Sequence, residues 1–538
     1  MHNRMTKALK TNNQDQAPSP SRPRSVDSYY GDNPPETTKE LLDLSKFKIL
    51  SFQSYSWLVN SGLDELADFK ASLCLNPSLI YPKFKEVESL GQDKARLEEA
   101  VDIAAGIEPD ADKLKVIDAT LNFRRAEIGY VELAAEIAKL KQSLEKAEDK
   151  QTENILRAKI KEMRELGHEL YGEPDSEICD MALNELWSAL DKRSYSPSMQ
   201  KLYDELSSGF WFDEGKYINP MLRAENQEAR LPDFEDESVK WLGKHIAEIT
   251  ADMHAIVYEY WDHASATMEE GEKYLCYPVD IVEAIKILVN HYDPENKYGI
   301  KVDLVEGRNS ISWDTASATV MVGADRDPIE SAEELYQKVL HEIGVHMVRF
   351  INGSKTDMPL MATGVYTDTK RPDYLTFEEG SATLIEESIS EKVSEWDAVK
   401  LGHYINISMA EAGADFRSVY EMSWRYRLLM ELSDNEEPTE EKIEKHKNLA
   451  YKACLRIFRG TQPDLLESTG IDVVPLTFNK DLAYLNGRVI AMQYVKKLYE
   501  DDDVEGLRFV FVGKFDPTIP EQYELAKKCV AEITPQAA

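Results

Sequence analysis

Two histidines flank a glutamate in the stretch His341-Glu342-Ile343-Gly344-Val345-His346. Imidazoles are metal ligands and a neighbouring carboxylate can serve as general base, so the stretch points to a metal ion and a hydrolysis. Its pattern, H-E-x-x-x-H, is one residue longer than the H-E-x-x-H of ordinary zinc peptidases. On a regular α-helix, residues i and i+4 lie about 40° apart around the axis, whereas i and i+5 lie about 140° apart. The pair can therefore grip one ion only on a distorted helix. A π-bulge, which adds one residue to a turn, returns both rings to one face. Gly344 lies between them and tolerates such a distortion. The opposing reading is two core histidines that flank a glutamate by accident.

The flanks predict the helix that must carry this motif. Ser331 is an N-cap with Glu334 three residues on. Leu335, Val339, Leu340, Ile343, Met347 and Phe350 recur at helical spacing, and Asn352-Gly353 ends the run. A catalytic zinc needs a third protein ligand and an open position. A second helix opens at Thr376-Phe377-Glu378-Glu379-Gly380-Ser381-Ala382 and offers four carboxylates: Glu378, Glu379, Glu386 and Glu387. Spacing does not choose among them, and Thr376-x-x-Glu379 also reads as a capping box. Just before the first helix, Ile300–Leu304, Ser310–Trp313 and Ala318–Val322 read as strands. Val320, Val322 and Gly323 are assigned to an edge strand that pairs with an extended substrate backbone. The plainer reading is an ordinary strand of a small sheet.

The pairing of H-E-x-x-x-H with a downstream Glu-Gly-x-Ala helix start resembles the microtubule-associated tyrosine carboxypeptidases and their bacterial relatives. The bacterial proteins carry Gln-Glu-Gly-Leu-Ala; this chain has Glu378-Glu379-Gly380-Ser381-Ala382, with Glu for Gln and Ser for Leu. Weaker similarities are Asn76-Pro77 with Tyr81, Leu170–Pro174, Phe458-Arg459-Gly460, and Lys480-Asp481 followed by Tyr484 and Gly487. The resemblance implies His341, His346 and Glu379 as ligands of one zinc ion and Glu342 as catalytic base. Zinc would lower the pKa of a bound water from about 15.7 to about 7 and polarise the scissile carbonyl. Glu342 would take the proton from that water and return it to the leaving amine. Tyr366 and Arg459 are candidate oxyanion partners. Arg459, Lys480 and Tyr484 are candidates for holding the substrate, since a terminal carboxylate calls for a cation.

Composition bounds the rest. Of 538 residues, 42% are hydrophobic and 30% charged, which describes a globular chain of more than one domain's length. The net charge of −35 argues against nucleic acid and anionic membranes as partners. It would also repel an acidic protein tail such as tubulin's, unless a local basic groove receives it. Five scattered cysteines without a C-x-x-C pair predict neither a disulfide framework nor a thiolate site. The N-terminus has no apolar leader-like segment and no apolar run is long enough to span a bilayer, so a cytoplasmic protein is expected.

The expected fold is an α-rich α+β. A disordered tail covers 1–40, a helical region 41–235, and a gluzincin-like metallopeptidase region 236–538, with a small mixed sheet beside the metal helix. Residues 126–168 read as a helical hairpin or coiled coil, 237–268 as one helix, 352–374 as a long loop, and Phe509–Val512 as a strand or buried segment. The leading function is zinc-dependent removal of a C-terminal residue, tyrosine or another aromatic, from a protein or peptide. The alternatives are an endo- or aminopeptidase with the same site, and a non-enzymatic adaptor with a vestigial one. The intact Glu342 argues against the adaptor, because a structural site has no use for a base. Composition and spacing leave the oligomeric state open.

Overall fold

The computed structural model describes residues 30, 34–147, 149–212, 215–269, 273–367, 374–390 and 394–533. Most of the tail expected at 1–40 lies outside these residues; Thr38–Leu41 form a short helix capped by Thr37. The 126–168 pattern resolves as an antiparallel hairpin, α1 (Ala111–Leu144) and α2 (Lys150–Tyr171). Asp110 and Asp149 cap the two helices by accepting backbone N–H groups of their first turns. The helix expected at 237–268 breaks at Thr250 into Glu237–Ile249 and Ala251–Ser265.

Two sheets occur among the described residues. A short hairpin joins β1 (Phe210–Trp211) and β2 (Tyr217–Ile218). The second is mixed: β3 (Lys301–Val305), β4 (Ile311–Asp314) and β5 (Thr319–Gly323), in the order β3-β5-β4. β5 runs parallel to β3 and antiparallel to β4, with Trp313 opposite Val320 and Ile311 opposite Val322. Val320, Val322 and Gly323 therefore belong to the central strand, not to an edge. The backbone groups of β5 are spent on both neighbours, so the docking role assigned to it fails. The edge that faces the metal-motif helix is β4.

That helix has three parts: α3 (Ala332–Val339), a π-helix (Leu340–Met347) and α4 (Val348–Lys355). Ser331 caps it by accepting the N–H of Glu334. It is followed by α5 (Tyr374–Ser388), α6 (Ala398–Glu411), α7 (Phe416–Glu431), α8 (Glu440–Ile457) and α9 (Leu482–Glu500). In the expected loop 352–374, Leu360–Thr363 form a short helix, and 368–373 lie outside the described residues. Val504–Phe509 and Val510–Val512 are helical, so no strand forms there. The two β-branched and two aromatic residues at 509–512 favour a strand locally, but no neighbouring strand is there to pair with them.

Packing is organised around two cores. One gathers Phe69, Trp187, Leu242, Ile281, Val320, Ile343, Phe377, Tyr404 and Leu428. The other gathers Leu50, Ile117, Val131, Leu156, Met361, Tyr374, Phe478 and Phe515. Each draws residues from both sides of position 235, so the N-terminal helices are packed into the C-terminal half. No helix among the described residues is long and apolar enough to cross a membrane.

Candidate active site

The π-helix solves the spacing problem. With both histidines inside Leu340–Met347, the rings of His341 and His346 lie 5.1 Å apart, centroid to centroid. One ligand atom from each of His341, Glu342 and His346 falls within 4.8 Å of the others. Gly344 sits at this turn for reasons of space. A Cβ there would lie 2.6 Å from Leu340 Cδ1 and 3.4 Å from Met253 Cε. Its φ is not among the positive ones, so no left-handed backbone is involved.

Each histidine is held by its own carboxylate. Nδ1 of His341 is 2.8 Å from Glu386 Oε2, and Nδ1 of His346 is 2.8 Å from Glu378 Oε1. With Nδ1–H donating to a carboxylate, Nε2 is left with its lone pair for a ligand, an arrangement that fixes tautomer and ring orientation in metal sites. Both carboxylates have lysine partners: Lys338 Nζ at 2.5 Å from Glu386 and Lys514 Nζ at 2.9 Å from Glu378. Burial alone would raise the carboxyl of Glu378, but Lys514 and His346 beside it hold it well below the usual carboxylate range. Burial likewise opposes ionisation of Glu386, and His341 and Lys338 bring it down to about 2. For His341, burial disfavours the cation; the bond to Glu386 and the charges of Glu342 and Glu379 overcome this and raise it to about 9. Glu387, the fourth candidate, pairs with Arg488 at 3.1 Å and Lys400 at 3.5 Å, facing away from the histidines.

Glu379 is what remains of the four. Its carboxylate has no hydrogen-bond or ion-pair partner among the described residues, and it is half-buried. It lies close enough to His341 to raise that residue's titration, and it is the main reason Tyr484 holds its proton far above the usual phenol value. The capping-box alternative fails: α5 begins at Tyr374, so Thr376 lies inside the helix, and its hydroxyl is buried without a partner. Glu379 is brought to Tyr484 by a very close crossing of α5 and α9. A Cβ on Gly380 would meet the Gly487 carbonyl carbon, and one on Gly487 would meet the Thr376 carbonyl oxygen, both far inside contact distance. Only glycine at both positions permits the crossing.

Glu342 is oriented from the sheet. The backbone N–H of Trp313, in β4, donates to Glu342 Oε2 at 2.8 Å, while Oε1 lies 4.0 Å from His341 Nε2. Trp313 is also tied through its indole N–H to Thr315 Oγ1 at 3.0 Å, which accepts from Lys514 at 3.1 Å. A continuous chain of polar contacts thus runs from β4 through Thr315, Lys514 and Glu378 to His346.

The other predicted residues divide. Arg459 and Lys480 converge around Tyr55, a residue that no motif marks, while Tyr484 lies under the Arg456 guanidinium and feels the charge of Glu379. Lys480 Nζ stands 4.7 Å from the centre of the Tyr55 ring. Tyr55 itself feels Asp314, Glu379, Tyr374 and Arg459, and burial with these acids holds its phenol far above its usual value. Neither Arg459 nor Lys480 has a carboxylate within ion-pair distance among the described residues. Burial pushes the Arg459 guanidinium down from its usual value. Next to them, Arg456 is paired with Asp481 at 2.9 Å. Tyr366 lies elsewhere. It is 2% exposed, stacks on Phe123 at 3.8 Å between centroids, stands edge-on to Tyr374, and lies under the Arg124 guanidinium. That is a place in the second core.

The architecture is helix-rich, with His341, Glu342 and His346 grouped beside a small sheet and Glu379 on the helix packed against them. Comparison with protein families matches residues 280–530 to the microtubule-associated tyrosine carboxypeptidases. The match bears out, over this region, the resemblance carried by the two motifs. Searches of curated proteins and of solved structures returned no match.

Proposed function

We propose that this chain is a zinc-dependent carboxypeptidase that releases a C-terminal residue, tyrosine or another aromatic, from a protein or peptide. His341 and His346 would hold the ion through Nε2, with Glu379 as third ligand. The donor set fits: two imidazoles with their Nδ1 atoms already committed, and a carboxylate with no partner among the described residues. When bound, zinc supplies Lewis acidity toward the scissile carbonyl and a lowered pKa for water.

The chain's own groups do the rest. Glu342, aimed by the Trp313 N–H, accepts the proton of the attacking water and passes it to the leaving amine. Tyr484 keeps its proton and can donate at the reacting centre. Arg459 and Lys480 receive the terminal carboxylate, and the Tyr55 ring feels both Arg459 and Glu379. β4 is the available edge for the substrate backbone; Glu342 already occupies the outward Trp313 N–H, so pairing falls to the next outward position, Ile311.

The observation that carries this reading is the pair of unmatched cations. In a chain of net charge −35, acids far outnumber bases, yet Arg459 and Lys480 are left without a carboxylate beside the histidine site. A carboxypeptidase needs that feature; an endopeptidase or aminopeptidase does not. The same local positive charge would admit an acidic tail that the global charge repels. The test is an assay of zinc-loaded protein on matched peptides ending in free tyrosine or tyrosine amide, alongside metal analysis. Release of tyrosine from the free acid alone is expected. Equal cleavage of the amide would remove the carboxypeptidase claim, and full activity after complete chelation would remove the metal.

A further inference from the structure

Away from the histidines, a cleft of about 720 Å³ opens between α6, α7, α8 and the segment around Phe234. Two of its lining residues carry charges the protein does not neutralise. Arg427 is only 6% exposed, yet among the described residues its one hydrogen bond is from Nε to the Ser423 hydroxyl at 3.1 Å. No carboxylate lies within ion-pair distance of it among the described residues. A Cβ on Gly402 would fall 2.5 Å from Arg427 Nη2, so the glycine leaves room for the guanidinium. Glu185, half-buried, lines the same cleft and has no hydrogen-bond or ion-pair partner either. Burial raises its carboxyl, against the opposing charges of Lys192 and Arg230, neither of which reaches ion-pair distance.

The other charges in this cleft are paired, hydrogen-bonded or exposed: Asp233, Glu235 and Glu395 are exposed carboxylates. Lys445 and His446 share Glu431, at 2.7 and 3.0 Å, and Arg193 donates to the carbonyls that end α7. A buried guanidinium cannot shed its proton, and leaving it unpaired costs several kcal/mol. A positive and a negative group facing one cleft without meeting each other are complementary to a molecule that carries both opposite charges. Phe234 and Trp396, ring centroids 4.7 Å apart, supply an apolar wall in the same cleft.

We infer that this cleft binds a small zwitterion of the amino-acid class, its carboxylate on Arg427, its ammonium on Glu185 and its side chain against Phe234 and Trp396. The site is separate from the histidine cluster and does not depend on the reading of that cluster. Isothermal titration calorimetry on the full chain tests it with L-tyrosine, with tyramine, which lacks the carboxylate, and with N-acetyl-L-tyrosine, which lacks the ammonium. An Arg459→Gln background removes binding at the other cation cluster. L-tyrosine should still bind there, with both analogues weaker by about tenfold or more, the loss of one charge-assisted hydrogen bond. Arg427→Gln and Glu185→Gln should each weaken L-tyrosine by a similar factor. Should Arg427→Gln fail to fold, as judged by its melting transition, Glu185→Gln decides alone. No binding in the Arg459→Gln background, affinity untouched by Glu185→Gln, or tyramine binding as well as tyrosine would each overturn the proposal.

Discussion

The two halves of the candidate active site are built on opposite electrostatic plans. Around the π-helix, apart from the free Glu379, every charged group has a partner: His341 with Glu386 and Lys338, His346 with Glu378 and Lys514, Glu342 with the Trp313 N–H. Around Tyr55, Arg459 and Lys480 have none, although Arg456 beside them is paired with Asp481. Pairing fixes side chains in place, and a matched group has little left to offer a ligand. Under the proposed function, the π-helix half is framework and chemistry, and the Tyr55 half is recognition. The contrast predicts that substitutions in the first will damage turnover or folding, and those in the second will damage affinity alone.

The largest effect belongs to Glu342. Replacing it with alanine should lower kcat by about 10²–10⁴-fold, the usual worth of a general base, while zinc content stays stoichiometric. Loss of zinc together with activity would place Glu342 among the ligands instead. Next is Lys514, 3% exposed and salt-bridged to a carboxylate 2% exposed. Lys514→Met leaves Glu378 buried without its main cation and should cost about 3–5 kcal/mol in denaturant unfolding. A cost under about 1 kcal/mol would mean the pair is not structural. In the same framework, Glu378→Gln should weaken zinc binding by about 10–100-fold without moving the ion elsewhere.

Removing a recognition cation should look different. Arg459→Gln and Lys480→Gln should each raise KM for a free C-terminal peptide by about 10–100-fold, equivalent to about 1.5–3 kcal/mol from one charged hydrogen bond. Stability should change by less than about 1 kcal/mol, because neither residue loses a carboxylate partner and Lys480 loses only its contact with the Tyr55 ring. A stability loss comparable to that of Lys514→Met would erase the distinction between the halves.

The sequence reached the framework more readily than the recognition half. The i and i+5 mismatch demanded a distorted helix, and the structure has a π-helix over Leu340–Met347. Ser331 as cap, the mixed sheet and the hairpin at 126–168 were also readable, since each depends on local pattern. What local pattern cannot give is which neighbour an element meets. Strand order put β5 in the centre and β4 at the edge, although both alternate alike. Glu378, Glu379 and Glu386 were all visible as candidates, but their division of labour depends on how α5 faces the π-helix. Tyr55, far upstream in sequence, reaches the site only through the packing of the N-terminal helices and leaves no motif. The glycines Gly380 and Gly487 were noticed as family features, and their reason emerges only from the crossing of α5 and α9.

Tyr366 gives the smallest effect and still sharpens the comparison. Its position between the two metal-motif helices in sequence made it an attractive oxyanion donor. In the fold it is stacked on Phe123 beneath Arg124, in a core built largely from the N-terminal hairpin. Its hydroxyl therefore serves packing and local polar contacts, and Tyr366→Phe should cost about 1 kcal/mol of stability with kcat/KM within about threefold of the parent. Tyr484→Phe is the matched control, because Tyr484 faces Glu379. If the two substitutions were reversed in effect, with Tyr366→Phe inactive and Tyr484→Phe unimpaired, the catalytic groups would have to be sought on the second core's side of the π-helix.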